Sequence, residues 1–362
     1  MVSSNLKELL CDNKNFSCIE TAFRKNNKNI PLFGKVFFEM APDYKFIGNL
    51  SEDDIFATSV FAKDFNISDI KNEPQNDVKR SFYKLAVSND IDFYSIDKNP
   101  TSNIPIDVII PTCSKDIKKL KFVINAIKEN VKHPINNIFV VSPKNEIIEG
   151  EKEYTFVDEN TVLPFTCKDI NYKPDNVDRS GWIFQQLLKL SADKISSCEH
   201  ILIVDSDTIF SIPQIFVDSD KMTLNCSDEY HQPYFTSYQK LTGFDKRFEL
   251  SFVAHHMLFN RTYLKELKSF IEKHTNKIWY DAILDNLDPN EGSSFSEYEL
   301  YGNYMYLMHR DLIRLRYWYN LSLKKECFDC LLEDEKRSYK AISAHSYNRK
   351  KSLFEKFFKR GK

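Results

Sequence analysis

The stretch His200-Ile-Leu-Ile-Val-Asp-Ser-Asp-Thr208 decides how the rest of the chain reads. Ile201 to Val204 form an apolar run without polar alternation, the pattern of a strand covered on both faces in the middle of a parallel α/β sheet. The run ends in Asp205 and Asp207. Two carboxylates so placed, at the carboxyl end of such a strand, can both turn into the crevice where open α/β sheets bind ligands. Their hard anionic oxygens suit a divalent cation, Mn²⁺ or Mg²⁺, that carries a nucleotide diphosphate. Short acidic pairs are also common in surface turns, but a solvated turn needs no buried strand ahead of it.

Upstream of this strand, from Ile104, strand and helix patterns alternate. Ile106-Asp-Val-Ile-Ile110 reads as a strand closed by Pro111-Thr112, and Leu120, Val123, Ile124, Ile127 and Val131 follow at helical spacing. Ile138 to Val141 and Tyr154 to Val157 give two further strands, the second ending in Asp158-Glu159. The alternation predicts parallel order with right-handed crossovers. The helix expected from Gly181 to Ile195 divides by face. Ile183, Phe184, Leu187, Leu188 and Leu190 form a core stripe, whereas Trp182, Gln185, Gln186 and Lys189 share the other side. That face reads either as the lining of a polar site or as ordinary surface. On the first reading Gln186 and Lys189 meet the donor, Trp182 and Gln185 meet the substrate, and Arg179 awaits an anion near the helix start.

Downstream, Lys221 to Leu224 begins an extended segment, and residues 226 to 247 read as a long polar and aromatic loop. Ser251 to Phe259 reads as a strand whose adjacent His255 and His256 point to opposite faces, so that one is structural and the other reaches the substrate site. Ser296-Glu-Tyr-Glu-Leu-Tyr-Gly302 opens a helix. Ser296 and Glu299 fit a capping box, while Glu297 has no such explanation and is the better candidate for a general base, with an exposed first-turn acid as the alternative. Ala341 to Tyr347 reads as a short strand delivering His345, an imidazole that with Asp205 and Asp207 would complete a metal site.

The chain of 362 residues, 42% hydrophobic, is long enough for one large core or two domains. Its 50 basic and 52 acidic residues nearly cancel, which argues against a nucleic-acid binder, because phosphate-tracking surfaces need a basic excess. Scattered cysteines and an amino terminus without a secretory pattern predict a reducing cytoplasm. Cys327 and Cys330 lack a second pair at zinc-finger spacing. No apolar run reaches the roughly 20 residues that span a bilayer. Residues 1–103 carry no interpretable motif and are expected to be an accessory region. The basic tail 348–362 places Leu353, Phe354, Phe357 and Phe358 on one helical face, as either a weak peripheral membrane anchor or a frayed terminus.

Taken together, Asp107-Val-Ile-Ile-Pro-Thr112, the segment Arg179 to Lys189, Val204-Asp-Ser-Asp-Thr208, Ser296 to Gly302 and Ala344-His-Ser-Tyr347 resemble the GT-A-fold glycosyltransferases, similar to those of bacterial capsule and lipooligosaccharide loci. The resemblance covers residues 104–347. It implies an α/β, Rossmann-like, mostly parallel sheet flanked by helices, and transfer of a sugar from a nucleotide diphosphate donor, a UDP-sugar foremost, to a glycan or lipid-linked glycan. It also implies that Thr112 and Asp158 lie by the nucleotide base, that Asp205 and Asp207 hold the metal with His345 while Asp205 and Ser206 adjoin the donor, and that Glu297 or Glu299 faces the acceptor. A sugar nucleotidyltransferase and a non-catalytic sugar-binding module are the rival readings. The first should carry a Gly-rich basic loop after the first strand, which Pro111 to Lys115 lacks.

Overall fold

The computed structural model describes residues 91–92, 100–145, 153–219, 221–227, 229, 231–248, 250–318, 320–323, 328 and 340–344. The tail 348–362, His345 and nearly all of the region 1–103 lie outside them. Strands β1 (Ile91–Asp92), β2 (Ile106–Pro111), β3 (Ile135–Ser142), β4 (Thr155–Asp158), β5 (His200–Val204), β6 (Thr208–Phe210), β7 (Met222–Cys226), β8 (His256–Asn260), β9 (Ile313–Tyr317), β10 (Asn320–Ser322) and β11 (Ala341–Ser343) are joined by helices. The helices are α1 (Ile117–Asn130), α2 (Ser180–Leu190), α3 (Ala192–Ile195), α4 (Gln232–Thr242), α5 (Arg261–Thr275), α6 (Trp279–Asp285) and α7 (Glu297–Met308).

The central sheet has the order β4-β3-β2-β5-β8, with β8 alone antiparallel. The mixed α/β class and mostly parallel sheet are those expected. Ile201 to Val204 and Ile106, Val108, Ile109 and Ile110 have no exposed surface, as strands sandwiched between helices must. Strand order reverses between β2 and β5, so the crevice of the sheet opens where Pro111-Thr112 and Asp205 leave it. Two smaller sheets, β1-β9-β7 and β10-β11-β6, flank it. β11 lies antiparallel to β6, with Ser343 opposite Thr208. Among the described residues, no helix is long and apolar enough to cross a membrane.

Three local expectations are corrected. The 226–247 segment is not a loop: Phe235, Tyr238 and Leu241 are buried at helical spacing in α4, and Gly243, at φ 74°, ends that helix by donating its N–H to the Gln239 carbonyl at 2.7 Å. The 251–259 strand begins only at His256, because His255 sits at φ 60° and breaks the extended run. The helix expected to reach Ile195 ends at Leu190, where the Ser191 hydroxyl donates to the Leu187 carbonyl, and resumes as α3.

His256 belongs to the core, not to a substrate site. Its Nδ1 pairs with the Ala254 carbonyl at 2.7 Å and its Nε2 with Asn225 Nδ2 at 2.8 Å, among the rings of Phe210, Phe216 and Trp318. The strand pairs in antiparallel register with β5, which turns His256 away from His255. Glu299 is likewise internal. Its N–H donates to Ser296 Oγ, completing half of the expected capping box, but its carboxylate accepts from the Phe252 N–H at 3.1 Å and from Asn303 Nδ2 at 2.8 Å. It therefore braces the segment leading to His255. α7 presses on the same segment, since a Cβ at Gly302 would overlap the Phe252 ring.

Gly302→Ala is therefore expected to destabilise the protein by about 1–3 kcal/mol or more in urea unfolding, whereas Gly292→Ala, with open space around it, leaves the midpoint unchanged. Burial pushes the His256 imidazole down to about 3, so the unfolded chain takes up this proton near its ordinary value and the folded chain does not. Stability is then complete above about pH 6.5 and falls as pH drops toward 3, at up to about 1.4 kcal/mol per pH unit from this group. His256→Gln should lose stability at neutral pH yet show a shallower decline than the native protein between pH 6 and 4.5 by urea titration; parallel declines would refute the assignment.

Candidate functional site

β5 delivers its acidic turn to the middle of the crevice, and backbone bonds from both sides hold it. The Asp205 N–H donates to the His255 carbonyl at 3.0 Å, the Thr208 N–H to the Asp205 carbonyl at 3.2 Å, and the Ala344 N–H to the Asp207 carbonyl at 2.8 Å. Asp205 and Asp207 are half-buried, and Ser206 between them is buried.

Lys189, in the last turn of α2, enters this turn from below. Its ammonium lies 2.5 Å from Asp205 Oδ1, 2.7 Å from Glu297 Oε1 and 3.2 Å from the Tyr298 hydroxyl, and over the Tyr298 ring. The Tyr298 hydroxyl also donates to Asp205 Oδ1 at 2.8 Å. On the other carboxylate oxygen stands His255, with Nδ1 3.5 Å from Asp205 Oδ2 and Nε2 2.9 Å from Glu229 Oε1. Burial alone would discharge Lys189, but Asp205 and Glu297 outweigh it and fix its proton. Burial is likewise outweighed at Asp205, where Lys189 and His255 hold the carboxyl well below the usual range. Between Glu229 and Asp205, His255 is raised to about 10 despite its burial. Glu297 shares its one cation with a stronger competitor, so burial, reinforced by the Asp205 charge, pushes its carboxyl up.

His255 makes these contacts from a left-handed backbone, which costs a non-glycine residue roughly 1–2 kcal/mol. Of the paired histidines, His256 lies in the core and His255 hydrogen-bonds Glu229 at the cleft. Glu229 has no counterpart in the sequence reading. It lies in irregular chain, where neither periodicity nor spacing marks it.

The polar face of α2 lines a cleft of about 420 Å³ that holds Arg179, Trp182, Gln185, Gln186, Lys189, Asp205, Ser206, Asp207, Glu229, His255 and Glu297. Gln186 Oε1 accepts the Glu297 N–H at 3.2 Å, and Gln185 donates to the Pro111 carbonyl at 3.0 Å. Arg179 precedes α2, stacks on Trp182 with 4.4 Å from its Cζ to the ring centroid, and donates to the Gly292 carbonyl and the Ser293 hydroxyl. Two of its five N–H donors are thereby engaged by the 290–294 loop. A second cavity of about 450 Å³ adjoins the first across Lys115, Asp116, Arg179, Trp182 and Gln185, and reaches Thr112 and Pro143 at the ends of β2 and β3.

Thr112 lines this second cavity. Asp158 does not line that cavity: its carboxylate accepts from the backbone and side chain of Asn160, capping the turn after β4. Glu159 lines it instead, and partial burial beside Asp158 pushes its carboxyl up to about 7. Glu297 lines the cleft with only 3% of its side chain exposed, and Glu299 lies behind it in the core.

Among the described residues, no three His, Cys, Asp or Glu side chains are grouped closely enough to hold a metal ion. The carboxylate oxygens of Asp205 and Asp207 are nevertheless the hard donors a divalent cation takes. The Asp205 carboxylate is shared among Lys189, Tyr298 and His255, and Asp207 lines the same cleft from a turn bonded to Ala344.

Among solved structures, the chain is similar to mouse xyloside xylosyltransferase 1 in its apo form, at 10% identity and a TM-score of 0.38, over 68% of this chain and 99% of that one. It is also similar to the galactosyltransferase LgtC in complex with donor and acceptor sugar analogues, at 11% identity and a TM-score of 0.34, over 66% of this chain and 86% of that one. No curated protein matches it. The model of a family of unknown function, DUF6492, matches residues 103–357, most of the chain and all of the cleft, and the protein belongs to that family.

Proposed function

We propose that the protein is a glycosyltransferase that moves a sugar from a nucleoside diphosphate donor, with a UDP-sugar the first to test, to a hydroxyl of a glycan or lipid-linked glycan acceptor in surface polysaccharide synthesis. One observation carries this reading: an ionised, clamped aspartate at the carboxyl end of the central strand, with Asp207 beside it, opens on a cleft continuous with a cavity at the neighbouring strand ends. The second cavity suits a nucleoside by position, between Thr112 and Glu159. The diphosphate then falls at the junction, where Arg179 and Lys115 face it from the cavity wall. Trp182 and Tyr234 supply flat apolar surface of the kind sugars stack on.

A divalent cation, Mn²⁺ or Mg²⁺, held by Asp207 with Asp205 and His345, would supply Lewis-acid stabilisation of the charge on the departing diphosphate. Lys189 contributes by position rather than by contact with substrate: it keeps Asp205 ionised and aimed, and draws the start of α7 onto the cleft through Glu297. Arg179 anchors the 290–294 loop and lines both cavities.

A thermal-shift series with UDP, GDP, CDP and ADP and their common sugar conjugates, with and without Mn²⁺, tests the reading. A ligand present at about 100 times its Kd stabilises by about 2.7 kcal/mol, which raises the Tm by several degrees. Asp207→Asn should abolish the Mn²⁺-dependent part of that rise and keep the native Tm without ligand. A flat response to every nucleotide and sugar nucleotide at millimolar concentration rejects it. Separately, Lys189→Met leaves two buried carboxylates without their shared cation and should cost about 3–5 kcal/mol in urea unfolding. Adding Glu297→Gln to it should recover part of that loss, and strictly additive losses would mean the three groups do not act as one cluster.

A further inference from the structure

We infer that Glu229, held in place by His255, is the carboxylate that takes the proton of the acceptor hydroxyl. This rests on the proposed sugar transfer at the cleft. Among the described residues, five carboxylates line that cleft: Asp116, Asp205, Asp207, Glu229 and Glu297. Asp116 is salt-bridged to the buried Lys119 at 2.8 Å and borders the cavity assigned to the nucleoside. Asp205 is clamped between Lys189 and His255, and Asp207 belongs with it to the proposed cation site. Glu297, the base expected from the sequence, has 3% of its side chain exposed and is paired through Oε1 with Lys189, so little of its carboxylate is open to an acceptor oxygen. Glu229 differs from all four. Its side chain is 45% exposed, against 22% for Asp205, 11% for Asp116, 3% for Glu297 and a half-buried Asp207, and His255 Nε2 lies 2.9 Å from one of its oxygens.

His255 is the positioning residue of this arrangement. One ring touches both the acidic strand end and the rim carboxylate, so the spacing between donor phosphate and acceptor proton is set by a single rigid group. The left-handed backbone at 255 lets the ring lie across the cleft. In the step itself, the acceptor O–H proton passes to the outer oxygen of Glu229 while an oxygen lone pair bonds to the anomeric carbon. The anomeric C–O bond to the diphosphate breaks, its electron pair leaves with the phosphate, and Glu229 returns the proton to solvent through its exposed edge. Direct displacement inverts the anomeric centre.

Azide separates this assignment from a structural role, because it attacks an anomeric carbon without having to lose a proton. With the nucleotide sugar that gives the largest thermal shift, Glu229→Ala should lose about 100-fold or more of water-dependent nucleotide release. It should keep the donor-induced thermal shift and regain turnover in azide, giving a glycosyl azide of configuration opposite to the donor. Glu297→Gln should show no such rescue. Water-dependent release by Glu229→Ala equal to the native rate, or rescue in Glu297→Gln instead, overturns the assignment while leaving sugar transfer standing. If the native protein binds no nucleotide or sugar nucleotide, the parent reading falls and this one falls with it.

Discussion

Lys189 touches a strand end and a helix start with one ammonium. The last turn of α2 carries it beneath the crevice, Asp205 comes from β5, and Glu297 and Tyr298 come from the first turn of α7. These elements are far apart in sequence, so the contact forms only when the sheet and both helices are already packed. Removing the ammonium from water is expensive, and two carboxylates and a hydroxyl are needed to repay it. The geometry of the cleft is a consequence: with Lys189 fixed, Asp205 cannot swing away from the crevice and α7 cannot drift from α2.

A second layer holds His255 on the opposite side of Asp205. Glu299 receives the Phe252 N–H, Gly302 lets the Phe252 ring lie flat on α7, and Ser227 and Ser251 exchange backbone hydrogen bonds at 2.8 and 3.1 Å. The chain between these anchors and β8 has little freedom, and it spends the residual strain at residue 255. Backbone strain of this sort persists when its surroundings over-determine it. Here they do so from a helix, a loop and a strand at once.

The parallel sheet was legible because its strands are buried on both faces and therefore written as unbroken apolar runs, Ile201 to Val204 above all. The polar face of α2 was legible for the converse reason, since Trp182, Gln185, Gln186 and Lys189 share one side of a regular period. What lay between elements was not. The aromatic residues of α4 disguise a helix as a loop, because Tyr and Phe are common to both. Glu297 and Glu299 stand two apart in one segment, and only packing shows that one turns to the cleft and the other to Phe252. Glu229 and His255 are joined by a contact across 26 positions, and no local pattern encodes it.

Buried ionic clusters are poor devices for stability alone. A well-packed apolar replacement for such a group is often neutral or better, because desolvation consumes most of the Coulombic gain. The core around β2, β5 and β8 is mostly apolar and would accept such a replacement at Lys189, Asp205 and Glu297 if holding the fold were their only task. Instead the charges are stacked where the strand ends face the cleft, together with a strained histidine and an acid left at the rim. The costs of desolvation and strain fall on the same few residues, and those residues line the same cleft. That coincidence is what a fold produces when the position of its charges matters more than their contribution to stability.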